Sequence, residues 1–181
     1  MSGHSLFVLG GARSGKSRYA LTRAEQTGLR PVFVATAQAF DEEMADRIAR
    51  HRVERGDAWH VIEAPLELAE AINSHAAPDV VLVIDCLTLW TSNLMFAERD
   101  LAAAGAALVA GVAQAPGPVI LVANEVGLGI VPDNALARRF RDAAGLINQQ
   151  VAAAVSEVQF VVSGLPMQVK PAPSTHAANL R

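Results

Sequence analysis

The chain has 181 residues, 51% hydrophobic and 18% charged, so it is too apolar to stay disordered and long enough to bury one sizeable core. Fifteen Lys and Arg against eighteen Asp and Glu leave a formal charge of −3, without the basic excess that binds a nucleic-acid backbone by counterion release, so no nucleic-acid partner is expected. A single cysteine, Cys86, excludes an internal disulfide and a multi-cysteine zinc site and fits a reducing compartment.

The N-terminal "MSGHSLFVLGG" lacks the basic region of a signal peptide, which points to a cytoplasmic protein. Its apolar run 5–9 predicts a first strand. Directly after it comes "GGARSGKS", in which Gly10, four residues, then Gly15, Lys16 and Ser17 satisfy G-x-x-x-x-G-K-[ST]. Glycines let successive backbone N–H groups turn inward around an anion, and the helix expected over "RYALTRAEQ" adds the partial positive charge of its N-terminus. Lys16 can then reach the β- and γ-phosphates of a nucleotide, and Ser17 can hold Mg²⁺. The competing reading is an ordinary glycine turn with a solvated lysine.

A second strand is expected at 31–36 and a helix at 41–55. On that helix Arg47, His51 and Arg55 are four apart and share a ridge. Two readings stay open: a solvated face on which Asp46, Glu54 and Asp57 supply weak ion pairs, or a phosphate-handling ridge on which a neutral imidazole attacks phosphorus. "HVIE" predicts a brief strand, and 66–76 a helix. The apolar run "VVLVID" ends in Asp85, which beside a P-loop can hold a metal or its bound water, although a strand-terminal Asp can equally be a turn former. Cys86 reads as a small buried filler, and 86–96 as core packing or a subunit contact.

The uncharged run 101–115 is shorter than the roughly 18 residues a bilayer span needs, and its Ala and Gly content predicts a close-packing helix. Residues 119–124 predict a strand, and "NEVGLGIVP" at 124–132 either a plain connection or a ligand loop. Leu136, Phe140, Ala143, Ile147, Val151, Ala154 and Val158 carry helical spacing, entered through a cap at Asp133 or Asn134. A last strand is expected at 159–164. Strand–helix alternation with continuously apolar strands predicts a single α/β domain of P-loop NTPase type over 1–170. Its mainly parallel sheet carries helices on both faces, and ligands sit beyond the carboxyl ends of the strands. Residues 171–181 read as a flexible tail.

The stretches "GGARSGKS", "DEEMADRIARHRVERGDAWHVIEAP", "IDCLTLWTSNLM" and "ANEVGLGIVPDNALARRFRDAAGLINQQVA" together resemble the bifunctional adenosylcobinamide kinase / adenosylcobinamide-phosphate guanylyltransferase family, from about Leu6 to Lys170. The resemblance implies two reactions in cobalamin assembly. ATP or GTP phosphorylates the aminopropanol hydroxyl of adenosylcobinamide; GTP then gives GMP to that phosphate, through a GMP-histidine intermediate matching His51, and pyrophosphate leaves. It also implies nucleotide contacts from Gly10, Gly11, Ala12, Arg13, Ser14, Gly15, Lys16 and Ser17, from Ala35, Thr36 and Ala37, from Arg52, Val53, Glu54 and Arg55, and from Glu63 and Asp85. Ser17 and Asp85 would be the Mg²⁺ ligands, Lys16 and His51 the catalytic groups, and a homotrimer the assembly. A single-function P-loop kinase is the alternative activity.

Overall fold

A computed structural model describes residues 4–37 and 58–171. The expected helix at 41–55, which carries Arg47, His51, Arg52, Val53, Glu54 and Arg55, lies outside the described residues, as does the tail beyond 171.

In chain order the elements are β1 (Ser5–Gly10), α1 (Lys16–Glu25), β2 (Arg30–Ala35), β3 (His60–Glu63), α2 (Leu68–His75) and β4 (Val80–Asp85). There follow α3 (Leu87–Phe96), α4 (Leu101–Gln114), β5 (Val119–Asn124), α5 (Ala135–Ala154), β6 (Glu157–Val162) and β7 (Leu165–Lys170). The strands form one seven-stranded sheet in the order β3-β2-β4-β5-β1-β6-β7, parallel except for β7. Successive strand residues point to opposite faces, so each continuously apolar strand feeds two cores. Phe7, Val34, Leu82, Ile84 and Leu121 pack on one side with residues from α2, α3, α4 and α5. Leu6, Val8, Phe33, Val83 and Val122 pack on the other against Ala20 and Ala24 of α1. The expected α/β architecture with helices on both faces is thus observed. Among the described residues no helix is long and apolar enough to cross a membrane.

Local chemistry sets the helix ends. Asn134 caps α5 by accepting from the Ala137 N–H at 2.8 Å, and Asp100 caps α4 by accepting from Ala102 and Ala103. The close-packing role of α4 is also observed: Gly105, Leu108, Gly111 and Val112 are buried, and a Cβ on Gly105 would collide with the Gln150 side chain of α5. Helix α3 buries Leu87, Thr88, Trp90, Thr91, Asn93 and Leu94, so residues 86–96 belong mainly to the core. α5 stops at Ala154, four residues before the apolar spacing ends, because Val158 instead joins the core from β6.

Strand β7 was not expected. It follows a tight turn at Ser163 (φ 51°) and Gly164 (φ 83°) and runs antiparallel to β6 along the sheet edge, where Pro166 is tolerated.

At the opposite end of β6, Glu157 is buried and chelated. Both Nη atoms of Arg23 donate to its oxygens at 2.8 Å, Gln159 Nε2 donates at 2.8 Å, and His4 Nε2 lies 2.9 Å away. The bond from Arg23 dominates and, with Gln159 and His4, outweighs burial to hold the carboxyl down at about 2. The resulting stabilisation is complete above the ordinary carboxyl value of 4.5 and is lost as pH falls toward about 2. Glu157→Gln is therefore expected to destabilise the protein by on the order of 2 kcal/mol at pH 7. It should also flatten the loss of stability between pH 4.5 and 2, as read by urea unfolding across that range.

Candidate nucleotide site

The chain leaves β1 at Gly10 and reaches α1 through a loop in which Arg13 (φ 56°) and Gly15 (φ 93°) are left-handed. Gly10 admits no side chain: a Cβ there would stand 2.5 Å from Ser14 Oγ and 2.6 Å from the Val161 carbonyl. Gly11 and Ser17 are half-buried, Ala12 and Arg13 exposed, and Ser14 and Lys16 buried. Lys16 Nζ folds back over the loop and donates to the Gly11 carbonyl at 3.0 Å. The turn between β6 and β7 braces the loop from outside, with the Gly164 N–H donating to the Ser14 carbonyl at 2.8 Å.

One hydroxyl in this loop is left unsatisfied. Ser14 Oγ is buried and has no hydrogen-bond partner among the described residues. Unpaired buried hydroxyls are rare because desolvation is not repaid. In a glycine loop that opens onto a helix N-terminus, a phosphate oxygen is the acceptor that would pair it.

Register places the expected strand residues along the same edge of the sheet as the loop. Ala35 of β2 pairs with Glu63 of β3 and with Asp85 of β4; Asp85 pairs with Val122 of β5, and Gly10 of β1 with Asn124 of β5. By strand alternation Glu63, Ala35, Asp85, Asn124 and Gly10 all share the face on which α1 packs. They form a row across the carboxyl ends of five adjacent strands. Glu63 is exposed at one end, and Asp85 is half-buried near the middle. Four strand spacings separate Glu63 from Gly10, about 19 Å. Glu63 therefore cannot share a phosphate with the P-loop.

Thr36 and Ala37 continue from β2. Ala37 is half-buried, whereas Thr36 is completely buried, and its hydroxyl is spent within the protein. It donates to the Cys86 carbonyl and accepts from the Cys86 N–H, both at 2.8 Å. Asn93 Nδ2 donates to the Thr36 carbonyl at 2.8 Å and to the Pro65 carbonyl at 3.0 Å. The Thr36 side chain thus locks the backbone immediately after Asp85. Thr36→Val leaves the buried Cys86 N–H unpaired and takes one of two donors from the Cys86 carbonyl, which keeps the Trp90 N–H at 3.1 Å. It is expected to cost about 2–3 kcal/mol in a denaturation experiment, with Thr36→Ser recovering most of it.

Burial, with the neighbouring Asp85 adding, pushes the Cys86 thiol up to about 11, so it is no nucleophile at neutral pH. Among the described residues no group of three or more His, Cys, Asp or Glu could hold a metal ion. Ser17 and Asp85 supply two oxygen groups beside the phosphate cradle. That donor set fits Mg²⁺, which keeps several waters and takes the rest of its shell from the nucleotide.

Sequence reasoning missed two participants, Gly164 as a brace and Asn93 as the clamp on Thr36, neither of which has a local signal. Asn124 opens the stretch 124–132 that reads as a connection or a ligand loop, and the structure puts it in the row at the end of β5.

Fold and loop together define a P-loop nucleotide-binding α/β protein. Residues 6–169 match the family described as cobinamide kinase / cobinamide phosphate guanyltransferase, and the chain belongs to that family. It is 46% identical over 168 residues to the bifunctional adenosylcobalamin biosynthesis protein CobP of Pseudomonas aeruginosa, covering 92% of this chain and 97% of the relative. To the bifunctional adenosylcobalamin biosynthesis protein CobU of Escherichia coli K12 it is 40% identical over 180 residues, covering 91% and 99%. Among solved structures, the flagellar accessory protein FlaH of Methanocaldococcus jannaschii superposes with a TM-score of 0.54 at 13% identity, over 94% of this chain and 79% of that one, a likeness of fold alone.

Proposed function

We propose that the protein phosphorylates adenosylcobinamide on its aminopropanol hydroxyl and then transfers GMP from GTP to the resulting phosphate, giving adenosylcobinamide-GDP and pyrophosphate. The observation that carries this reading is the glycine cradle, with the buried unpaired Ser14 hydroxyl inside it, in a chain of this family.

In the first reaction the substrate hydroxyl oxygen bonds to the γ-phosphorus of ATP or GTP as the bond to the β-phosphate oxygen breaks. Little covalent chemistry falls to the protein, so alignment and charge stabilisation dominate. Backbone N–H groups of the loop, other than that of Ser14, which donates to the Gly11 carbonyl, hold the phosphates together with the Ser14 hydroxyl, and Lys16 offsets charge on the β- and γ-oxygens. Mg²⁺, when bound by Ser17 and Asp85, supplies further charge neutralisation on the phosphates.

In the second reaction a neutral His51 nitrogen attacks the α-phosphorus of GTP, and pyrophosphate departs with the electron pair of the broken bond. A phosphate oxygen of adenosylcobinamide phosphate then displaces the histidine. Arg52 and Arg55 offset the leaving charge. Glu63, at the far end of the row, is suited to accept hydrogen bonds from guanine N–H or ribose O–H groups. The working protein is a cytoplasmic homotrimer that engages corrinoid and nucleotide but no nucleic acid.

The test follows label from both ends of the nucleotide. With γ-³²P-ATP and adenosylcobinamide, label is expected in the corrinoid phosphate; with α-³²P-GTP and that product, in the corrinoid nucleotide. Label from the first experiment alone would mark a single-function kinase, and label from neither would overturn the reading.

A further inference from the structure

We propose that the side-chain oxygen of Asn124 accepts a hydrogen bond from an O–H group held between the P-loop and Asp85, making Asn124 a catalytic residue of phosphoryl transfer. This rests on the kinase half of the proposed function. The starting observation is that Asn124 Oδ1 is buried with no partner among the described residues, the one side-chain atom sharing that state with Ser14 Oγ.

The position is built rather than incidental. β5 lies between β4, which ends in Asp85, and β1, which ends in Gly10. Asn124 pairs in register with Gly10 and lies two residues beyond Val122, the partner of Asp85, so it projects farther toward the ligand edge than the carboxylate does. Its backbone is pinned on three sides. Its N–H donates to Thr88 Oγ1 at 2.7 Å, its carbonyl accepts from Asn148 Nδ2 at 3.4 Å, and the next N–H, of Glu125, donates to the Gly10 carbonyl at 3.1 Å. Helices α3 and α5 and the P-loop strand thus cooperate to hold an acceptor that they do not themselves satisfy.

The chemistry of the missing partner follows from its surroundings. Phosphate oxygens are acceptors and cannot pair an amide oxygen. A donor beside the γ-phosphate is needed, and two O–H groups occupy that place during transfer: the hydroxyl of the acceptor substrate, or a water on the nucleotide's metal ion. An amide oxygen is too weak a base to keep a proton. Asn124 therefore orients the O–H so that its oxygen lone pair faces phosphorus, and the proton passes to the transferred phosphoryl group as the new P–O bond forms and the old one breaks.

The experiment compares Asn124→Ala with the unchanged protein in phosphoryl transfer, nucleotide affinity, thermal unfolding and Mg²⁺ dependence. Expected is a fall in kcat of about 10- to 100-fold, with nucleotide Kd within about two-fold and an unfolding temperature equal to or above the original, because an unpaired buried atom has been removed. If the donor is the acceptor hydroxyl, the Mg²⁺ midpoint stays fixed and acceptor-free nucleotide hydrolysis is untouched. If it is a metal-bound water, the midpoint moves to higher Mg²⁺ and hydrolysis falls in parallel. A kcat within two-fold of the original overturns the inference. Should the alanine variant melt early, Asn124→Leu, which keeps the volume and carries no acceptor, is read the same way. Failure of the unchanged protein to phosphorylate would instead sink the functional reading on which the inference rests.

Discussion

Lys16→Met is expected to lower phosphoryl transfer about 100- to 1,000-fold, the usual consequence of removing one preorganised charge from a developing anion. Gly15 adopts φ 93°, which lets α1 begin at Lys16 with its ammonium returned over the loop to the Gly11 carbonyl. The group is therefore placed before nucleotide arrives, and little reorganisation is needed when charge develops on the phosphate oxygens. Methionine preserves the length and apolar burial of the stem while deleting the charge, so the melting temperature should move little. Steady-state kinetics with γ-labelled nucleotide checks the rate. A loss confined to KM would show that Lys16 binds ground state and transition state equally.

His51→Asn is expected to abolish guanylyl transfer, by at least about 1,000-fold, while phosphorylation stays within a few-fold of the original. Asparagine retains polarity and approximate size but has no nitrogen able to attack phosphorus. The split matters more than the size of the loss. The proposed kinase step relies on Lys16, Ser17, Asp85 and the acceptor hydroxyl, and this exchange leaves all of them in place. Parallel assays of the corrinoid phosphate and the corrinoid nucleotide, from one preparation, read both halves at once.

The legible parts of the fold and site are those whose cause is local in the chain. The P-loop was readable because its geometry is imposed by consecutive residues, and Gly10 and Gly15 stand where a Cβ would collide or a left-handed backbone is required. The place of Asp85 at the carboxyl edge of the sheet was readable because it ends an apolar strand. β4 and β5 were recognised from runs apolar on both faces, the signature of a parallel sheet.

What escaped depends on partners distant in sequence. The Thr36 lock joins residues 50 and 57 positions apart, so nothing near Thr36 announces it. Helix α3 is buried around most of its circumference, and a helix apolar on nearly every side has no 3.6-residue period to detect. β7 has the opposite fault: Leu165, Met167 and Val169 remain exposed on an edge strand containing Pro166, so its sequence resembles a connection. Asn124 could be seen as the end of a strand, but its unpaired oxygen arises only once Thr88, Asn148 and Gly10 fix its backbone. The arginine ridge around His51 stayed balanced between surface and catalysis because both uses favour the same residues at the same spacing.

The central claim is that one chain carries two chemistries, with His51 as the covalent relay of the second. The most direct measurement incubates the protein with α-³²P-GTP and Mg²⁺, denatures it, and maps the label. Acid-labile, base-stable label is expected on the peptide containing His51, absent from His51→Asn and discharged from the native enzyme by adenosylcobinamide phosphate. Guanylyl transfer by an enzyme that never acquires label, or label that persists in the His51 variant, would contradict it.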